Sequence, residues 1–314
     1  MIRPTLMLLS VLACGGSNDP NPHELVLGAR DGAVMAYDEA RHQTILFGGM
    51  TDTGLASDTW AWNGSSWTRL ATTGPAGRID AGMVYDATRQ RLVLYGGRTN
   101  PQQSATVYSD TWEWNGTAWT QVATTGPGAR IHFALGYDRA GQKTVLFGGV
   151  SGSGTALPDV WEWNGQQWTH VAPVPAANNF VPFFAYDEGP GSLVLLSLAS
   201  SDFHFLTDSW NGTGFASLSA TGPALVPSGL VTRGANGGLL AFGGYNGNTF
   251  VSQTWFWNGS NWSQQPGNGP SPRSGAALSY DRDRDRVVLF GGSTPASVRL
   301  MDTWEHSGST WSER

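Results

Sequence analysis

The chain has 314 residues, of which 13% are charged, and a formal net charge of −6. That balance excludes a basic nucleic-acid surface, which needs clustered Lys and Arg against phosphate. A single cysteine excludes an internal disulfide, so stability must come from a core, and a chain of this length can bury a large one.

In chain order, residues 1–14 read as an export signal. Arg3 gives a short positive start, Thr5 to Ala13 an apolar stretch too short to span a bilayer, and Val11-Leu12-Ala13-Cys14 a small-residue cleavage site. Residues 15–27 have linker composition and are expected to form a flexible tether. Glu24 to Leu27 are expected to pair with the last strand as a clasp, because an unclosed ring exposes strand edges.

From residue 28 to 314 the chain repeats. All fifteen tryptophans fall in one motif, clearest as Asp110-Thr111-Trp112-Glu113-Trp114-Asn115-Gly116-Thr117-Ala118-Trp119. Copies centre on Trp60, Trp112, Trp161, Trp210, Trp255 and Trp304, at intervals of 45 to 52 residues. A period near fifty in a β-rich chain indicates a propeller or array. Six units follow, at about 28–72, 73–124, 125–173, 174–220, 221–266 and 267–314.

One unit resolves into four strands. In the second, Asp80 to Tyr85 is a short apolar strand ended by Asp86, and Arg91 to Tyr95 is an apolar run closed by Gly96-Gly97. The near-continuous run predicts a strand buried on both faces. Asp110 to Trp114 and Thr117 to Val122 flank Asn115-Gly116, which predicts a two-residue hairpin turn with Trp112 opposite Trp119. Trp112, Trp114 and Trp119 then share one face and pack on the neighbouring sheet. The fourth unit is degenerate, with Ser197-Leu198 for the diglycine and a hairpin read as two residues shorter, Asp208-Ser209-Trp210-Asn211-Gly212. Its segment Ser200 to Phe205 offers aromatics and His204 beside the variable loops.

Two resemblances add to this reading. Cys14 directly after the cleavage site resembles a bacterial lipobox, which implies lipidation of Cys14 and a membrane anchor. Gly15, and not aspartate, after it implies an outer-membrane lipoprotein. A strand ending in diglycine, then aromatics seven residues apart, resembles the kelch repeat over about 28–314. Trp112 and its equivalents stand where kelch repeats more often have Tyr. The resemblance implies an all-β, six-bladed β-propeller of four-stranded antiparallel blades.

The loops between second and third strands (50–57, 98–109, 150–158, 198–207, 245–252, 293–301) vary most, so a binding surface is assigned to their face. Arg30, Arg78, Arg130 and Arg273 each stand eighteen residues before a diglycine, with Asp80 and His132 two places beyond their arginines. The arginines either bind an anionic ligand at the channel or satisfy the strand-start aspartates Asp58, Asp110, Asp159 and Asp302. Asp80 and His132 do not repeat, which singles them out. No cysteine is left for a galactose-oxidase-like tyrosine–cysteine site, the six histidines are scattered, and neither GxSxG nor a P-loop occurs. The sequence therefore predicts no cofactor or metal. It points to a monomeric, lipid-anchored binding module for a protein or a cell-surface glycan, and not to an enzyme. The alternative is a sugar-processing enzyme, as the kelch-like propellers that isomerise sialic acid imply.

Overall fold

The computed structural model describes residues 26–101, 105–173, 181–198, 205–219, 222–234, 237–267 and 269–314. Six four-stranded antiparallel sheets follow one another along the chain. Their inner strands are Val34–Asp38, Gly82–Asp86, Ala134–Asp138, Phe183–Asp187, Gly229–Thr232 and Ala277–Asp281. Each inner strand packs beside the next, and the last lies against the first, which closes a six-bladed propeller around a central channel. A two-stranded ribbon, Met50–Thr51 with Gly54–Leu55, decorates the first blade.

The second strand of each blade is the core. Leu92, Val93, Leu94 and Tyr95 are wholly buried, as the unbroken apolar run requires. Tryptophan joins the blades. The third tryptophan of one blade donates its indole N–H to a threonine of the blade before it: Trp119 to Thr59 (2.8 Å), Trp168 to Thr111 (2.8 Å), Trp262 to Thr207 (2.8 Å) and Trp311 to Thr254 (3.0 Å). Trp67 to Thr303 (2.9 Å) and Trp62 to Glu305 (3.0 Å) make the same kind of join between the first blade and the sixth.

Three local expectations are corrected. The hairpin turn has four residues: Trp114 pairs with Trp119, and Trp112 with Gln121. The Asn115 side-chain oxygen accepts the N–H groups of Thr117 and Ala118, so only Gly116 takes a positive φ (97°), where a two-residue turn needs two such residues. The slip is by two, so the three tryptophans still share a face, and Trp114 and Trp119 rings stand 5.5 Å apart. The fourth blade carries no deletion. Thr207 pairs with Leu196 as Thr111 pairs with Tyr95, which puts Asp208 in the leading tryptophan position and Phe215 in the third. Finally, Leu27 is 4% exposed and packs with Trp60, Trp62 and Phe290, so it belongs to the propeller and not to the tether. The last strand, Thr310–Glu313, pairs with Thr303–Ser307, so Leu27 closes the ring by packing and not as a clasp strand. Residues 1–25, with Cys14, lie outside the described residues, as do Ser200 to His204.

Candidate functional site

Inner strands leave one edge unpaired, and six such edges surround the channel, whose volume is about 410 Å³. Small residues such as Ala33, Ala81, Gly82, Ala134 and Ala276 keep it open along its wall. The charged groups and the histidine that line it stand at the two mouths, one ringed by the variable loops and the other by the tight turns after the inner strands.

The four repeating arginines reach neither mouth. Arg30, Arg78, Arg130 and Arg273 are at most 3% exposed. Each donates to the strand-start carboxylate of its own blade: Asp58 at 2.7 Å, and Asp110, Asp159 and Asp302 at 2.6 Å. Each also donates to the carbonyl of the first diglycine residue, Gly48, Gly96, Gly148 or Gly291. The leading indoles of Trp60, Trp112, Trp161 and Trp304 complete the cluster on the same carboxylates. Burial pushes the carboxyls of Asp58, Asp110 and Asp302 up, but the arginine and tryptophan donors outweigh it and hold them below the usual range. Tyr108 covers the Arg78 guanidinium at 4.0 Å. The anion-binding expectation for these four is thus corrected: their donors are spent inside the blade. The fifth blade makes the point internally, with the buried Leu225 at the arginine position and Gln253 at the aspartate position.

Asp80 and His132 do stand at the loop mouth and line the channel. Both lie in the left-handed region, at φ 57° and 54°. The equivalent residues are Gly32 (65°), Val181 (55°) and Gly275 (63°). Side chains other than glycine are strained there, and the strain persists because the surrounding blade holds the backbone, under Val181 as under Asp80 and His132. Asp80 accepts from Arg98 Nε at 2.6 Å. Burial lowers the His132 pKa; Asp80 opposes the shift and Arg98 adds to it, so the imidazole is a neutral proton acceptor near pH 7. A second ion-paired group borders the same face: Arg299 lies 3.5 Å from Asp31 and donates to Asp52 at 2.9 Å. Sequence reasoning did not single out Arg98 or Arg299, although Arg98 follows its diglycine in register with Met50, Val150, Tyr245 and Ser293 and differs from them in residue type. Among the described residues of this mouth, three carboxylates (Asp31, Asp52, Asp80) face two guanidiniums (Arg98, Arg299), a balance suited to hydroxyl donors more than to anions. Among the described residues, no group of three or more His, Cys, Asp or Glu stands close enough to hold a metal ion.

At the opposite mouth Glu39, Arg139, Glu188 and Arg282 meet over the channel. Each follows the last residue of an inner strand, a position sequence reasoning did not single out.

No protein-family model and no curated protein matches the chain. Among solved structures the ring has a full-length counterpart. The chain is similar in structure to YjhT. The TM-score is 0.71 at 11% sequence identity, covering 92% of this chain and 98% of that of YjhT. At that identity the likeness shows the fold, a six-bladed all-β propeller, without bearing on the kelch assignment or the lipid anchor. Beside this full-length likeness the expectation that the chain is not an enzyme no longer stands, and the choice of activity falls to the site itself.

Proposed function

We propose that the chain is a sugar-processing propeller whose site is the loop-face mouth, and that it interconverts the anomers of a reducing sugar. The supporting observation is His132, neutral, half-buried and in a strained backbone conformation, within electrostatic reach of the Asp80–Arg98 pair. In this reading His132 takes the proton of the anomeric hydroxyl as the ring C–O bond breaks. The ring oxygen receives a proton from the solvent or from the imidazolium, and reclosure on the other carbonyl face returns the balance. Asp80 accepts a sugar hydroxyl, with Arg98 holding its carboxylate in place. The charge of the mouth favours a neutral sugar over an acidic one, and the fold is of the kind the sialic-acid isomerase resemblance implies.

The test is exchange NMR on anomer interconversion, with a panel of neutral and acidic reducing sugars. A rate above the uncatalysed one that falls at least ~100-fold in His132→Ala, the usual worth of a positioned acid–base group, supports the reading. Wild-type protein without any acceleration across the panel sinks it. Cys14 lipidation and an outer-membrane location belong to the same proposal, resting on the signal sequence. Globomycin, which blocks lipoprotein processing, is expected to increase the mature size; no change would remove the anchor.

A further inference from the structure

The turn-face mouth carries four side chains from four blades: Glu39 from the first, Arg139 from the third, Glu188 from the fourth and Arg282 from the sixth. Arg139 pairs with Glu39 and lies 3.7 Å from Glu188; Arg282 pairs with Glu188 and lies 3.5 Å from Glu39. The first and third blades are not neighbours, and neither are the fourth and sixth. Ion pairs between them must therefore cross the opening. All four side chains line the channel and are only partly exposed, from 16% to 30%.

The sequence at this position, read round the ring, is Glu39, Ala87, Arg139, Glu188, Gly234, Arg282. It is glutamate, small residue, arginine, twice over, although the blades around it differ freely. The blade between each glutamate and the arginine it reaches across the opening carries a small residue at this position, Ala87 or Gly234. Just inside lie Tyr37, Tyr85, Tyr137, Tyr186 and Tyr280, one rung earlier on their strands, and Arg139 stands over the Tyr186 ring at 5.7 Å. In the fifth blade this rung is Thr232, whose hydroxyl donates to the Tyr186 carbonyl at 2.7 Å.

We infer that Glu39, Arg139, Glu188 and Arg282 form an ion-pair gate that closes the channel at the turn face, so that ligands enter and leave by the loop face alone. Partly exposed ion pairs are individually weak, so the gate holds through sharing: each charge contacts two of the opposite sign. Salt and loss of one sign of charge should both open it. The inference does not depend on the ligand or on any catalysis.

The test uses the full-length chain with Cys14→Ser, so that an introduced cysteine is the only thiol. Thr232→Cys reports from just inside the gate, and Ala81→Cys from the loop mouth. Labelling by a biotin-maleimide is timed in the native ring and in Glu39→Ala/Glu188→Ala, with a cooperative melt required of both. The Thr232→Cys rate is expected to rise ~10-fold in the double variant, as an open–closed equilibrium losing its ion pairs should respond, while Ala81→Cys is unchanged. Exchanging all four charges (Glu39→Arg, Arg139→Glu, Glu188→Arg, Arg282→Glu) should restore slow labelling. Should the double variant fail to melt cooperatively, the native ring at 1 M salt provides the same comparison. Equal Thr232→Cys rates with the gate intact and opened overturn the inference, as does a fourfold exchange that labels as fast as the double variant.

Discussion

Replacing Arg78 by leucine tests whether the repeating arginines hold the blade. Arg78 is 1% exposed and donates to both oxygens of Asp110, at 2.6 and 3.0 Å, and to the carbonyls of Ala76 and Gly96, at 3.0 and 2.9 Å. Leucine fills the volume but strands the Asp110 carboxylate, left with the Trp112 indole as donor, and the Gly96 carbonyl. Breaking one partner of a buried pair costs about 3–5 kcal/mol; Asp110 is 16% exposed, so water takes up part of the loss and the lower end, ~3 kcal/mol, applies. At roughly 2–4 °C per kcal/mol, the melting temperature should fall by about 6–12 °C. The double variant Arg78→Leu/Asp110→Gln copies the fifth blade, where Leu225 and Gln253 stand and the Gln253 side chain still accepts from Trp255 at 3.0 Å. It should recover most of the loss, to within ~1 kcal/mol of the native chain. Calorimetry and urea titration of the four corners of this cycle measure the coupling. A harmless single variant, or a double variant no better than the single, would refute the reasoning.

Other outcomes follow from the same geometry. His306 is 3% exposed between Phe256 and Trp311, and burial, with Arg233 nearby, lowers its pKa from 6.5 to about 4. A depressed histidine leaves the unfolded chain binding the extra proton. Its stabilisation is therefore complete above pH 6.5 and lost as pH falls toward 4, and urea titrations of His306→Phe should show a flatter pH dependence in that window. Thr59→Val leaves the Trp119 indole without its acceptor and should cost about 1–3 kcal/mol in the same titration. His132→Gly relieves a left-handed residue, worth roughly 1–2 kcal/mol, so the variant should match or exceed native stability while losing anomer interconversion. If it is clearly less stable, His132 is there for packing.

The ring was legible because its signals repeat. Diglycines, Tyr-Asp turns and tryptophans recur in register, and each repetition reinforces the strand boundaries around it. Register within the hairpin was less legible, since Asn115-Gly116 supports both a two-residue turn and the side-chain-capped four-residue turn that forms. The arginine spacing fits a structural or a ligand-binding role, and burial decides between them. Repetition itself favoured the structural role, because a ligand on the axis of a ring of unequal loops has no need of four identical contacts. Asp80 and His132 stand out for breaking the pattern, and Arg98 breaks it in the same way, one place past its diglycine where other blades have Met50, Val150, Tyr245 and Ser293; Arg299 lies in a loop whose length varies from blade to blade. The cross-channel charges follow a twofold rhythm laid over a sixfold one, which appears once the blades are aligned on their strand pairing.

The joins between blades also differ in one place. Five carry an indole-to-threonine bond, including the join of the first blade to the sixth, where Glu305 adds another. Between the third and fourth blades both partners are gone: Val160 takes the place of the threonine and Phe215 that of the tryptophan. Across the joint Phe147 packs on Phe215 at 4.9 Å and on Phe184 at 6.3 Å, contacts that slide where a hydrogen bond would lock. Under heat or mechanical load the propeller should part first at this greased joint, opposite the seam that brings its two ends together, and the fracture line is already fixed by two substitutions that matter only as a pair.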